Sequence, residues 1–200
     1  MNKKIGIFGG TFDPVHTAHL HMARCALEQA ELDKVIFVPN GTPPHKSNSG
    51  ITSGEHRYNM LVLATEDNHR FEVSEYELTK GGLCYTVDTM RYFRRENTQD
   101  EFWFILGADS LDYLHKWYDG ANLIRENRFL VAVRDFRQGY DIQDNIGRIS
   151  EMGGRVELVH MSPMDISATD IRDLVSSGDE IGSMTHPKVE QYIRDKELYK

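Results

Sequence analysis

A short apolar run, Lys4-Ile5-Gly6-Ile7-Phe8, enters Gly9-Gly10-Thr11-Phe12-Asp13-Pro14, and a stretch with helical spacing follows at once. That order constrains the fold more than any other part of the chain. An apolar segment without polar alternation suits a strand buried on both faces, as in parallel sheets covered by helices. The paired glycines let the backbone turn sharply at the strand end and come close to a ligand. Thr17 is a natural N-cap, and Leu20, Ala23, Leu27 and Ala30 recur at helical spacing, so a helix is expected to start there. Its unpaired N–H groups would face an anion at the strand end, and phosphate is the expected ligand. His16 and His19, three residues apart across that first turn, can both point towards the anion and donate to it.

The rest of the chain repeats the pattern. Lys34–Pro39 is a second apolar strand, which with the first helix makes a right-handed βαβ unit. Residues 40–54 are rich in Asn, Gly, Thr, Pro and Ser and read as a binding loop carrying His45 and Lys46. Thr52-x-x-Glu55 reads as the capping box of a helix with Met60, Leu61, Leu63 and Ala64 on its apolar side, and 71–78 as a half-exposed strand. Thr86 is expected to cap a helix over Val87, Met90 and Phe93. Residues 101–106 form an apolar strand that ends in Gly107-Ala108-Asp109-Ser110, a small-residue turn at the edge where open parallel sheets bind ligands. Short helical segments over 111–118 and 122–127 precede a strand at 129–133, followed directly by Arg134. Asp141 caps a helix that Gly153-Gly154 ends, and 156–161 is the last strand. Ser167-x-x-Asp170 is a second capping box, for a helix closed by Gly178, and Pro187 opens the final helix over Val189, Tyr192 and Ile193. Strands alternate with helices throughout 200 residues, which predicts an α/β class, a doubly wound parallel sheet in a single domain.

Charge and composition remove several functions. A net charge of −8 without a lysine or arginine cluster beyond Arg94-Arg95 opposes binding of nucleic acid. A small anion needs only a few donors and helix starts. No apolar run is long enough to cross a bilayer, and the first residues carry no signal-peptide core, so a cytoplasmic location without membrane contact is expected. Cys25 and Cys84 have neither zinc-site nor C-x-x-C spacing. Monomer and homodimer both stay open.

Gly9-Gly10-Thr11-Phe12-Asp13-Pro14 with His16-Thr17-Ala18-His19 resembles the signature of the nucleotidyltransferase superfamily whose hallmark is H-x-G-H, and Ile166-Ser167-Ala168-Thr169-Asp170-Ile171-Arg172 resembles its I-S-S-T-x-I-R motif. Ala18 stands where that pattern has glycine, and Ala168 where it has the second serine. The wording is closest to the bacterial adenylyltransferases that act on nicotinate mononucleotide, and the likeness extends over Pro43-Pro44-His45-Lys46, Tyr85-Thr86-x-Asp88-Thr89 and Lys116-Trp117-Tyr118. The resemblance implies a Rossmann-like fold and transfer of AMP from ATP to that mononucleotide, in NAD synthesis. It implies catalytic roles for His16, His19, Lys46 and Arg172, and an ATP site made by Gly9, Gly10, Thr11, Phe12, Gly107, Asp109, Ser167 and Thr169. It places the mononucleotide on Asn40, His45, Thr86, Trp117, Tyr118 and Arg134, with the pyridine stacked on Trp117 and its carboxylate meeting the amides of Thr86 and Tyr118. Mg²⁺ would arrive on the ATP phosphates without a protein cage.

Each feature alone has an ordinary reading. A strand, two glycines and a helix start are common α/β punctuation. Trp117 alone reads as core, Lys46 as a solvated loop charge, Arg134 as a strand-end charge, and Asp109 and Asp13 as turn formers. Their occurrence together and in order is what carries the functional reading. The amide mononucleotide stays open as acceptor, the Tyr85-Thr86-x-Asp88-Thr89 and Lys116-Trp117-Tyr118 segments argue against the other alternative, phosphopantetheine, and a nucleotide-binding regulatory module without turnover is the rival from another class, kept in view by Ala18 and Ala168.

Overall fold

The computed structural model describes residues 2–41, 50–133 and 139–200. In chain order these form β1 (Lys4–Gly10), α1 (Thr17–Gln29), β2 (Lys34–Pro39), α2 (Gly54–Thr65), β3 (Phe71–Val73), α3 (Tyr76–Lys80), α4 (Thr86–Glu96), β4 (Glu101–Gly107), α5 (Ala108–Leu111), α6 (Gly120–Glu126), β5 (Arg128–Val133), α7 (Gly139–Glu151), β6 (Arg155–His160), α8 (Ala168–Ser177) and α9 (Pro187–Asp195). The strands make one parallel sheet in the order β3-β2-β1-β4-β5-β6. The chain builds outwards from β1 to β3, returns to the centre at β4 and builds outwards on the other side. The point of reversal, between the C-terminal ends of β1 and β4, is where an open parallel sheet leaves a crevice.

Alternation along each strand divides the core between the two faces of the sheet. Trp103 and Ile105 of β4 join the layer under α1, with Leu27, Leu130 and Val159. Phe102, Phe104 and Leu106 face the other way, against Met90 and Phe93 of α4 and Leu123 and Ile124 of α6. Both faces are covered, which is why the strands read as unbroken apolar runs. Gly6 lies where β4 and the connection after α1 close on β1: a Cβ there would stand 2.8 Å from the Cδ1 atoms of Leu32 and Ile105.

Several expected boundaries move. The strand at 71–78 holds only Phe71–Val73, and α3 takes the remainder. Ser74 N donates to the Phe37 carbonyl, Ser74 Oγ accepts from Tyr76 N, and the Glu77 side chain turns inward to buried partners, so tertiary bonds override the apparent alternation. Ser53, not Thr52, caps α2, its hydroxyl accepting from His56 N, while the Thr52 N–H goes to the Asp13 carboxylate instead of to Glu55. Thr17 and Thr86 are the first residues of their helices rather than the caps, which are His16 and Tyr85. α7 starts before Asp141. The helical segment at 111–118 is α5 followed by a 3₁₀ turn over Leu114–Lys116, and α6 starts at Gly120. The capping box at Ser167, the left-handed Gly178 and Pro187 at the head of α9 are as expected.

Phe129, the second residue of β5, has no exposed surface. Phe129→Ala is expected to lower the unfolding free energy by about 3–5 kcal/mol in a urea titration, through lost transfer energy and a cavity that the strand cannot close.

Candidate active site

A cavity of about 780 Å³ opens at the point of reversal. Its floor is the C-terminal half of β1 and β4, with Phe8, Gly9 and Phe104 to Gly107, and its walls are the starts of α1 and α8. Both helices direct their positive ends towards it. The Ser167 side chain accepts from Asp170 N at 3.1 Å, while Asp170 accepts from Ser167 N at 3.2 Å, and this box fixes the first turn of α8.

His16 and His19 stack across the first turn of α1, with ring centroids 3.6 Å apart and planes 25° from parallel. His16 N–H donates to His19 Nδ1 at 3.3 Å. When neutral, His19 therefore carries its proton on Nε2 and donates from that nitrogen. Phe12 and Phe8 meet the His19 ring edge-on, at 5.0 and 6.0 Å. Phe12 reaches this position with a left-handed backbone, φ 50°, and is itself buried. Its ring explains Gly10: a Cβ there would stand 2.8–3.1 Å from three atoms of the Phe12 ring.

Arg172, one turn into α8, crosses the same wall. Its Nη1 donates to the Asp13 carbonyl at 2.7 Å and its Nη2 to Thr169 Oγ1 at 3.1 Å. A second arginine, Arg57 of α2, lies beneath the site with 3% of its surface exposed. Its Nε donates to Thr52 O at 3.0 Å, Nη1 to Thr11 O at 2.9 Å and Nη2 to Asn40 O at 2.8 Å. One rigid fork thus holds the ends of β1 and β2 and the approach to α2. Burial works against its charge, and Asp13, Tyr199 and Glu77 compensate. Glu77 is the matching buried acid, accepting from Thr89 Oγ1 at 2.6 Å and Gly41 N at 3.3 Å, and burial raises its pKa.

The expected residues separate into three groups. His16, His19, Gly9, Thr11, Phe12, Gly107, Asp109, Ser167, Thr169, Trp117 and Arg172 all line the cavity, as do Ala18 and Ala168. Gly10, Asn40, Thr86 and Tyr118 do not line it. Asn40 N bonds the Gly10 carbonyl beside it, and Tyr118 stacks on Tyr85 with centroids 3.9 Å apart, which joins the start of α4 to the turn carrying Trp117. Trp117 stands edge-on to Phe104 at 6.2 Å. His45, Lys46 and Arg134 lie outside the described residues. Sequence reasoning missed Arg57. The signal was present: Arg57 shares one helical stripe with Met60, Leu61 and Ala64, a cation at a core position.

The profile of the cytidylyltransferase-like family matches residues 7–174. A probable nicotinate-nucleotide adenylyltransferase of Caldicellulosiruptor bescii is 38% identical over 98% of this chain and 99% of that protein, and one of Moorella thermoacetica is 41% identical over 98% and 92%. Among solved structures, the nicotinic acid mononucleotide adenylyltransferase of Plasmodium falciparum, complexed with NaAD, superposes with a TM-score of 0.82 at 21% identity, covering 99% of this chain and 98% of that one, which shows the shared fold.

Arg57→Lys replaces a three-way fork by one ammonium and leaves buried carbonyls without donors, so the unfolding free energy is expected to fall by about 1–3 kcal/mol in urea. For Glu77 the sign runs with pH. Its folded pKa lies above the ordinary 4.5. As pH rises through the window between the two values, the folded state holds more protons than the unfolded state, and stability falls. Glu77→Gln is expected to flatten that decline in unfolding midpoints measured from pH 4 upwards.

Proposed function

The chain belongs to the cytidylyltransferase-like family and, at this identity over nearly its whole length, to the nicotinate-nucleotide adenylyltransferases; from that premise we propose that its cavity transfers the adenylyl group of ATP to nicotinate mononucleotide. The products are nicotinate adenine dinucleotide and pyrophosphate, a step of NAD synthesis. The observation that carries this reading is convergence: two helix starts, the stacked His16 and His19, Arg172 and Trp117 all meet one cavity at the reversal of the sheet.

A phosphate oxygen of the mononucleotide attacks the α-phosphorus of ATP. A new P–O bond forms, the bond to the β-phosphate bridge breaks, and pyrophosphate leaves with the electron pair. The attacking oxygen is already an anion, so no general base and no serine or cysteine nucleophile are needed. The protein's work is to align two repelling anions and to donate to charge on the α-phosphate and the leaving group. His19, through Nε2–H, His16 and Arg172 are the donors on the triphosphate, with Lys46 from outside the described residues. Gly9, Gly10, Thr11 and Phe12 give the backbone approach, while Gly107, Asp109, Ser167 and Thr169 take the adenosine. Trp117 offers an indole face to the pyridinium ring, a cation that favours such a partner. The Tyr85–Tyr118 stack supports a role for the neighbouring amides of Thr86 and Tyr118 at the ring's carboxylate. Asn40, His45 and Arg134 are assigned to the mononucleotide's phosphate and ribose side. Magnesium enters as the complex of ATP, held by the phosphate oxygens.

Pyrophosphate release from MgATP tests this, with nicotinate mononucleotide, its amide and phosphopantetheine in parallel. Preference for the acid is expected, and ATP binding with silence on all three acceptors would overturn the reading in favour of a regulatory module. His19→Ala is expected to lower kcat about 100-fold while ATP affinity changes far less, as for loss of a donor that acts chiefly on the transition state.

A further inference from the structure

The segment after α8 returns over the turn between β1 and α1 and ties it at three alternate residues. Tyr199 Oη donates to Asp13 Oδ1 at 2.7 Å, Thr185 Oγ1 donates to the Val15 carbonyl at 2.7 Å, and Thr17 Oγ1 donates to the Met184 carbonyl at 3.0 Å. Asp13 and Thr185 are buried, at 4% and 2% exposure. Asp13 is the point where the ties converge on chemistry. Its Oδ2 accepts from Thr52 N at 3.1 Å, and its main-chain carbonyl accepts from Arg172 Nη1 at 2.7 Å. A single buried residue thus links the returning segment, the approach to α2 and the guanidinium at the cavity wall. The Tyr199 phenol is a lasting donor there: burial, then the Asp13 charge, push its pKa well above the ordinary phenol range. Without that hydroxyl, one oxygen of a buried carboxylate loses its donor, and the turn that sets both His16 and Arg172 loses a constraint.

We infer that Tyr199 is a positioning residue for the transfer reaction: through its bond to Asp13 it fixes the turn that places His16 and Arg172 around the reacting phosphates, without touching substrate. The inference rests on the adenylyl-transfer reading, since that is what the positioned groups serve.

The test uses the full chain with Tyr199→Phe, which keeps the ring and removes only the hydroxyl. With nicotinate mononucleotide and MgATP, kcat is expected to fall about 10-fold or more while KM for either substrate stays within about threefold, because small displacements of catalytic groups act on rate more than on binding. Tyr192→Phe is the control. It removes a hydroxyl from the same segment, but one bonded to His56 at 2.8 Å and Asn59 at 3.1 Å on α2, and it is expected to leave kcat unchanged. If Tyr199 acts through Asp13, adding Tyr199→Phe to Asp13→Asn costs little more than Asp13→Asn alone. Ring ¹⁵N resonances of His16 and His19 give a readout that needs no turnover, and they are expected to move in Tyr199→Phe and to stay in Tyr192→Phe. Wild-type kcat with unmoved histidine resonances would overturn the inference, as would losses from Tyr199→Phe and Asp13→Asn that simply multiply. Should the unmodified protein make no product, the reading of its function fails, and the histidine spectra still decide whether Tyr199 sets the turn.

Discussion

Where the chain leaves β1 its carbonyls lose their ladder partners, and the surrounding structure is arranged to supply donors for them. Asn40 N meets the carbonyl of Gly10, Arg57 that of Thr11, Arg172 that of Asp13, Thr185 that of Val15, and the amides of His19 and Leu20 that of His16. A backbone oxygen buried without a donor is costly, so an irregular turn can stay in the interior only when such donors are brought to it. Those donors come from the residue after β2, from α1 itself, from α2 and α8, and from the segment before α9. Those turn carbonyls are therefore met by protein donors, and the two imidazoles line the cavity. The site is a by-product of satisfying the turn.

The two arginines of the site divide this labour. Arg57 is buried and bonded on all sides to carbonyls of three segments, so its charge is committed to architecture. Arg172 lines the cavity and has only part of its fork engaged by Asp13 and Thr169, leaving donors for an incoming anion. Since an acidic chain of net charge −8 must still receive polyanionic substrates, placing its positive groups at one crevice matters more than their number.

Much of this was legible beforehand. Apolar runs such as 4–8 and 101–106 announced strands buried on both faces, and Ser167 with Asp170 announced a helix start, because those signals depend on neighbours within a few residues. The motif residues His16, His19, Asp109, Ser167, Thr169 and Arg172 meet at one cavity because each stands at a strand end or helix start on the same edge of the sheet. What could not be read depends on distant partners. Glu77 turned an apparent strand into a short helix by bonding Thr89 and Gly41, and Asp13 took the Thr52 amide that a capping box would have directed to Glu55. Nothing local to Tyr199 marks it as the partner of a residue 186 positions earlier.

Gly10 and Phe12 carry a consequence for how such a site can change over generations. The Phe12 ring occupies the space in which residue 10 would carry a side chain, so the two positions are not independent letters. Alanine at 10 forces the Phe12 ring to shift, and with it the edge that meets the His19 imidazole. A change at one position therefore presses on the other, and an engineer who enlarges residue 10 has to make room at residue 12 and give His19 a new neighbour.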